Sequence, residues 1–493
     1  MNQGQGALFE LVARGVKDTY FVKDSSDSFF SYDATYESSV HHLPERKTMV
    51  SINGTNFGNT FEVEIDPYAD VMTECAFEIE LPSWFPLLPI APNGMVYTPS
   101  IANGLYPITS LNNSYGYVNY VGYYLFEKIQ FYQDQFLIQE WSGDGLLAKQ
   151  MSEGSYNSSF LQQKIGGQTD IIDQLTNLPT DRAIQLRATP GHLRIKLPLP
   201  GLCHGDAGFP FVAMAWQKFR IKATLRKWED LIVCSTQSFK PSPLNKPFTM
   251  TFDDGTFYDF MSLSDFGQPT ILLSTIQHYV PPKIQDELRT KPIQIPFRRQ
   301  FENNFSFGEL DFIPLDNGGT ASVTRQLDGR HPTEKIFWFC RTQNALDRNQ
   351  LDNFYNDFFD YNATTETETF TEPYGNFYYR MKLVIAGRDR ETILEPFVWQ
   401  TISQFAKDEK GSGLNIGEMK WTTGEKFGII YPYPRQPEGT INLSTADRPT
   451  LYIELANVRP DISRQRKAEM RVFTEAWNTY EITGGRGRLL FAS

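Results

Sequence analysis

The chain has 493 residues, 40% of them hydrophobic and 14% aromatic, and carries a formal charge of −12. That length exceeds one ordinary core and predicts roughly two units of about 200 to 250 residues. The acidic balance excludes a body built to grip nucleic acid, which needs a basic face, and the 38 Phe and 24 Tyr favour strands.

In chain order, Ala7 to Val16 places Leu8, Leu11, Val12 and Val16 at helical spacing, which predicts a short amphipathic helix. The opening residues lack an apolar run behind a basic segment. No stretch reaches the ~18 apolar residues of a spanning helix, so the expectation is a protein made and used in a cytosolic compartment. Phe29 to Tyr36 is the next expected ordered piece. Phe61, Val63 and Ile65 then alternate with Glu62 and Glu64 until Asp66-Pro67 stops the run. Cys75, Phe77, Ile79 and Leu81 repeat the pattern. Pro82 to Tyr117 is irregular and rich in Pro, Gly, Asn and Tyr, and a loop that long predicts a contact with a neighbour. Strand character resumes from Tyr124 to Ile138, with Ile129 and Phe131 inward, and Trp141 to Gln163 reads as partly helical.

Gln185 to Leu225 supplies closing strands. Leu193, Ile195, Leu197 and Leu199 alternate with polar residues, as do Phe219, Ile221, Ala223 and Leu225. After Cys234 the pattern stops. Ser238, Pro241, Ser242, Pro243, Asn245 and Pro247 form a stiff polar connector, because proline fixes φ and donates nothing to a ladder. The expected division is therefore 1–235 and 236–493. In the second part, strands are expected at Phe248 to Phe252, Thr270 to Val280, Ile293 to Phe297 and Lys335 to Cys340. Tyr379, Met381, Leu383 and Ile385 alternate, as do Leu451, Ile453 and Leu455, and Val472 to Ile482 is the last strong run. Asp316 to Pro332, Arg341 to Gly375 and Asp408 to Gly424 read as long polar loops. About eight short strands in each half predict an all-β protein of two tandem eight-stranded jelly rolls, with long loops and a few short helices.

Candidate chemistry is sparse. Cys75, Cys203, Cys234 and Cys340 form no CxxC pair, so reduced thiols are expected. Cys203-His204-Gly205-Asp206 cannot close a tetrahedral metal site alone. His41-His42 reads as a solvated pair. Asp265-Phe266-Gly267 shares three letters with kinases but none of their other motifs. Gly484 to Arg488 lacks the Lys-Ser/Thr of a phosphate loop and reads as a C-terminal turn. There is no GxSxG and no HExxH. No enzyme, no cofactor and no catalytic or metal residue is expected. Glycosylation sequons occur at Asn53, Asn112, Asn157, Asn304, Asn362 and Asn442. Asn112 and Asn362 are the candidates for decoration, and Asn442 is expected to be structural.

Several segments resemble the major capsid proteins of the nucleocytoplasmic large DNA viruses. Gly6 to Tyr20 is similar to that family's Leu-Val-Ala-x-Gly-x-x-Asp-x-Tyr opening, and Asn119 to Trp141 to its strand-then-Trp stretch. Leu197 to Pro200 and Phe209 to Ala213 resemble the run that closes the first barrel. Pro437 to Ser444, followed by Asp447, resembles a Pro-x-Gly-x-x-Asn-x-Ser segment, and Gly484 to Phe491 a Gly-rich ending. Cys203 to Asp206 departs from the apolar start expected there.

The resemblance implies a structural virion protein with a double jelly-roll fold, a homotrimeric subunit of pseudo-hexagonal outline that tiles an icosahedral capsid. Implied partners are its own copies, neighbouring capsomers, minor capsid and penton proteins and an inner membrane layer, with no direct nucleic acid. The implied place is the virion capsid, assembled in host cytoplasm. A permanent trimer interface buries upwards of roughly 2,000 Å². Trp84, Phe85, Tyr97, Tyr106, Tyr115 and Tyr117 in one loop, and Phe354, Tyr355, Phe358, Phe359 and Tyr361 in another, are its candidate aromatics, against the alternative that each packs on its own barrel. Arg464, Arg466 and Lys467 read as a solvated turn, with minor proteins as the alternative partner. The rival readings are a jelly-roll carbohydrate-binding module, a specialised capsid paralogue and, weakest because the six histidines are scattered, a cupin-type enzyme.

Overall fold

Among the described residues, alternating apolar residues build four large antiparallel sheets, two from each of two successive sets of strands, beside two small two-stranded ones. A computed structural model describes residues 42–82, 115–152, 192–202, 208–214, 216–234, 249–251, 257–259, 267–312, 320–347, 349, 351–352, 378–390, 392–396, 398–399, 416–420, 439–444, 446, 448–455 and 468–491. The first set of strands is β1 (Leu43–Val50), β2 (Thr60–Ile65), β3 (Val71–Glu80), β4 (Phe126–Gln133), β5 (Phe136–Trp141), β6 (His192–Lys196), β7 (Phe219–Leu225) and β8 (Thr270–Tyr279). They form two sheets, β1-β8-β3-β6 and β2-β7-β4-β5.

The second set is β9 (Ile293–Phe307), β10 (Ser322–Gln326), β11 (Pro332–Thr342), β12 (Tyr378–Ile385), β13 (Arg388–Asp389), β14 (Gly417–Lys420), β15 (Thr450–Leu455) and β16 (Ala468–Thr483). Its sheets are β9-β16-β11-β14 and β10-β15-β12-β13. Counted from one within each set, both orders are 1-8-3-6 and 2-7-4-5. The chain is thus the same eight-stranded jelly roll made twice. A last strand, β17 (Arg486–Leu489), folds back on β16. Its two-residue turn, Gly484-Gly485, has φ of 59° and 79°, the left-handed conformation that the primed hairpin turns demand.

Each roll has its own core. In the first, Val63 pairs with Ile221 and Phe131 with the same Ile221. Aromatic rings fill the space between the sheets. Phe77 stacks on Phe126 at 5.1 Å, Phe131 on Phe219 at 5.9 Å, and Phe209 meets Phe219 edge-on at 5.2 Å. In the second, Ile336, Trp338, Met381, Leu383, Leu451, Ile453, Met470 and Val472 pack together, with Trp338 edge-on to Trp399 at 5.7 Å. Among the described residues four short α-helices punctuate the strands: α1 (Val121–Tyr124), α2 (Gly143–Ser152), α3 (Pro282–Thr290) and α4 (Gln343–Asp347). Among the described residues no helix is long and apolar enough to cross a membrane.

Most expected strands are present, with corrections. Residues 270–279, read from sequence as part of 236–493, complete the first roll: β8 lies between β1 and β3, Leu273 opposite both Met49 and Phe77. The proline-rich stretch that marked the seam lies outside the described residues, in the chain between β7 and β8. The passage from one roll to the other is Val280–Pro292, where Pro281-Pro282 starts α3. Prolines fit a helix N-terminus as well as a tether, which is why composition alone placed the seam too early. Asp70 fastens this passage, its Oδ2 accepting from the Val280 amide at 2.8 Å and from Gln285 Nε2 at 3.0 Å.

The run expected at Ile293 to Phe297 continues to Phe307. Pro296 does not end it, because β9 is an edge strand. The inward residue at the start of β12 is Tyr378 and not Tyr379, since a bulge between Tyr378 and Arg380 shifts the register. β10 lies within Asp316 to Pro332, and β14 within Asp408 to Gly424, both expected to be loops. The expected N-terminal helix at Ala7 to Val16, Phe29 to Tyr36, and most of Pro82 to Tyr117 and Arg341 to Gly375 lie outside the described residues.

Candidate functional site: the seam between the rolls and the exposed apolar rim

β11 is the element on which the two rolls meet. Its alternation serves two interiors. Ile336, Trp338 and Cys340 enter the second core, while Phe337 and Phe339 on the other face join the first. Phe337 stacks on Phe473 of β16 at 5.3 Å. The β9–β16 ladder runs in unbroken register from Ile293–Ile482 to Phe307–Ala468. One end packs in the second core through Phe307, Met470 and Val472, and the other in the first through Ile295, Phe297 and Tyr480. Tyr480 donates to Gln133 Oε1 at 2.6 Å, and Gln133 Nε2 donates to the Gly487 carbonyl at 2.7 Å.

Helix α2 carries the charges of this seam. Ser142 caps it, its Oγ accepting from the Gly145 amide at 3.0 Å. Gly143 is required by close approach, since a Cβ there would lie 2.1 Å from the Tyr123 carbonyl and 2.4 Å from that of Phe126. Asp144, fully buried, meets three guanidinium groups: Arg226 at 2.7 Å, Arg341 at 2.9 Å and Arg471 at 2.9 Å. Burial pushes its carboxyl up, but the charges of Arg341, Arg471 and Arg226 outweigh that and hold it well below the usual carboxylate range. Arg341 also donates through Nε to Glu469 at 2.7 Å and through Nη1 to the Leu351 carbonyl at 3.0 Å.

One turn on, Lys149 pairs with Glu475 of β16, and Lys335 of β11 reaches the same carboxylate at 3.2 Å. Burial raises the Glu475 carboxyl, and the charges of Lys149, Lys335 and Arg298 more than offset it, so it too is held low. Arg298 and Glu334 form a two-pronged pair at 2.6 and 3.1 Å. Asn349 adds an uncharged tie, Nδ2 donating to the Glu229 and Ile232 carbonyls at 2.6 and 2.7 Å. Sequence reasoning missed this network. Its only signal was charge inside apolar runs, as in Lys335 to Arg341 and at Glu475.

The outer surface carries large apolar side chains. Trp216 is 99% exposed, on a left-handed backbone with φ of 68°, and Phe136 is 75% exposed. Each lies two residues along the chain from the tie between Asp134 and Lys218, in which Asp134 accepts from the Lys218 amide at 3.0 Å and returns its own amide to the Lys218 carbonyl at 2.7 Å. Val50, Ile52, Leu43 and Leu310 are exposed as well. Of the loop aromatics singled out from sequence, Tyr117 is buried and donates to the Pro82 carbonyl at 2.6 Å, so it packs on its own roll. Tyr115 lies on a short strand paired to Cys234. Trp84, Phe85, Tyr97, Tyr106, Phe354, Tyr355, Phe358, Phe359 and Tyr361 lie outside the described residues, as do Asn112, Asn362, Cys203, His204, Asp206, Arg464, Arg466 and Lys467.

Asn442 is an exposed residue of the two-residue strand Ile441–Asn442, paired with β11 opposite Pro332; its Oδ1 accepts from the Ser444 amide at 3.0 Å, while Ser444 Oγ accepts from the His331 amide at 2.8 Å. Among the described residues no three His, Cys, Asp or Glu gather as metal ligands. Cys75 and Cys340 are buried free thiols whose pKa burial pushes up, an arrangement suited to packing and not to nucleophilic attack.

No protein-family model and no curated protein sequence matches the chain. Solved structures do. The crystal structure of PBCV-1 VP54, as fitted into a reconstruction of the virophage Sputnik, matches with a TM-score of 0.64 at 13% identity, over 94% of this chain and 100% of that one. The quasi-atomic model of the PBCV-1 virus capsid matches with a TM-score of 0.59 at 13% identity, over 94% and 100%. The Faustovirus major capsid protein matches with a TM-score of 0.57 at 11% identity, over 97% and 96%. The chain has the double jelly-roll fold of these capsid proteins along nearly its whole length.

Proposed function

We propose that this double jelly-roll chain is a structural subunit of a viral capsid, not an enzyme, and acts by assembling with copies of itself. One observation carries the reading: the same eight-strand order occurs twice in one chain, and that arrangement superposes on capsid subunits from end to end with almost nothing left over on either side. The seam supports it. Two rolls joined by buried ion pairs and a shared ladder make a tile of fixed shape, as a shell requires. The exposed Trp216 and Phe136 support it too, since large apolar side chains in water belong at interfaces.

In the finer form of the proposal, three chains close head to tail into a capsomer of nearly hexagonal outline, which tiles the icosahedral shell of a large DNA virus alongside minor capsid and penton proteins and above an inner membrane layer. Assembly takes place in host cytoplasm, and the acidic chain leaves the genome uncontacted. The proposed folding units are the two rolls. Asn112 and Asn362 are proposed glycan sites, and an intact mass equal to that of the bare chain would remove them.

The test is the mass of the purified full-length chain in solution. A stable species of three chain masses is expected. A monomer at micromolar concentration sinks the trimer and favours the carbohydrate-binding reading.

A further inference from the structure

An open cavity of about 740 Å³ lies along the seam, between β4, β5 and β7 of the first roll and β9 and β16 of the second. Its charged walls are nearly all answered. Arg226 meets Asp144 at 2.7 Å, Arg471 meets Glu302 at 3.0 Å, and Lys128 meets Glu140 at 2.9 Å. Among the lining cations Arg299 is the exception. It is only 7% exposed, and its Nη1 is buried without an acceptor. Among the described residues it has no hydrogen bond and no ion pair, and its contact is the face of Phe301, 5.2 Å away.

Its surroundings add to the positive charge. Burial, and then the charge of Arg330, push the Arg299 pKa down, with only Glu140 opposing, and Glu140 is already engaged by Lys128 and Gln130. Arg330 also lines the cavity, tied to Asp328 only loosely at 3.9 Å. His331 stands beside Phe301 at 5.8 Å, its Nε2 likewise buried without a partner. A guanidinium stays protonated under any ordinary condition, and a buried charge without a counter-charge is costly. A bound anion answers both facts.

We propose that Arg299, with Arg330 beside it, anchors a binding site in this cavity for a phosphate-class oxyanion, either the free ion or a phosphate monoester. The planar guanidinium fork matches two phosphate oxygens at once. The cavity has room for more than the bare ion. A bound dianion bridges β9 to the loop after β10 at the edge of the seam, tightening the contact between the rolls.

The test uses the full chain, with thermal unfolding and calorimetric titration against inorganic phosphate, glycerol 3-phosphate and sodium chloride at matched ionic strength. The wild type is expected to gain several degrees with phosphate and none with chloride. Arg299→Met is expected to lose that gain and, without phosphate, to unfold no lower than wild type, because it removes an unpaired buried charge. Arg330→Ala, at an exposed position, is expected to weaken phosphate binding about tenfold, the loss of one charge-assisted contact. Tighter binding of the monoester assigns the site to esterified phosphate, and equal binding assigns it to the free ion. A phosphate gain that survives in Arg299→Met, no gain beyond chloride in the wild type, or an Arg299→Met protein less stable than wild type without phosphate each overturns the proposal.

Discussion

The two rolls share one strand order but not one kind of sheet. In the first, β2 and β7 turn Phe61, Val63, Ile65, Phe219, Ile221 and Ala223 inward and leave Glu62, Glu64, Arg220 and Lys222 to the surface, where Glu62 pairs with Arg220 at 3.4 Å. One face is dry and one wet. In the second, the sheet that contains β11 and β16 is covered on both faces, by its own partner sheet and by the first roll. Buried charge is the consequence. Arg341, Lys335, Glu334 and Glu475 sit where the first roll has solvent. A jelly roll that must also seat a second roll cannot hold its outer face in water, and it satisfies that face with ion pairs where rings do not fit.

The largest expected effect tests whether the seam depends on those pairs. Asp144→Ala strips Arg226 of its carboxylate and leaves three guanidinium groups together, with only Glu469 and Glu302 to answer Arg341 and Arg471. The expected cost is about 3 to 5 kcal/mol, read from the denaturant midpoint; a loss below about 1 kcal/mol would show that water or neighbouring carboxylates already screen the three guanidinium groups. Next come the cores. Phe77→Ala in the first roll and Leu383→Ala in the second are expected to cost about 2 to 5 kcal/mol each, and each is expected to move one shared transition. Two separate transitions, each sensitive to one variant, would break the picture of rolls coupled through β11.

A pH series sharpens the same contrast. Asp144 and Glu475 have folded pKa values depressed below their ordinary 3.8 and 4.5. Their contribution is therefore fully present above the unfolded values and is lost as pH falls below them. Stability is expected to be level from about pH 8 to 5 and to fall steeply below about 4, and Asp144→Asn is expected to flatten that fall, as followed by urea midpoints. An unchanged slope in the variant would place the acid sensitivity elsewhere. The smallest effect on folding is expected at the rim. Trp216→Gly relieves a left-handed backbone and exposes nothing, so stability should change by less than about 0.5 kcal/mol while the oligomer measured by light scattering weakens. An oligomer unaffected by this change and by Phe136→Ala would move the interface to another surface.

Legibility in the sequence followed the same division. Where one face of a sheet meets water, period-two alternation was plain, as at Phe61 to Ile65, Phe219 to Leu225 and Leu451 to Leu455. Where both faces are buried, alternation carries no information about which core a residue enters, and Phe337 cannot be told from Trp338 by pattern. Edge strands were hidden for the opposite reason. β1 is mostly exposed, and its Leu43–Val50 stretch offers no apolar period. The sequence pattern ends β9 at Phe297 because Arg298 to Asn304 are polar apart from Phe301, although Arg299, Gln300 and Asn303 are buried. The seam itself depends on pairings such as Asp144 with Arg341 and Arg471, and no local pattern encodes contacts between residues so distant in the chain.

The β9–β16 ladder has a mechanical consequence. Fifteen residues of β9 lie in continuous register with β16, and the two ends of that ladder are embedded in different hydrophobic cores. A hinge between the rolls would have to bend this girder, shearing many backbone hydrogen bonds together, while the short connector at Val280–Pro292 carries little of the load. Outward strain on one roll is thereby passed along the main chain to the other, and a wall made of such pieces yields first at the joints between molecules.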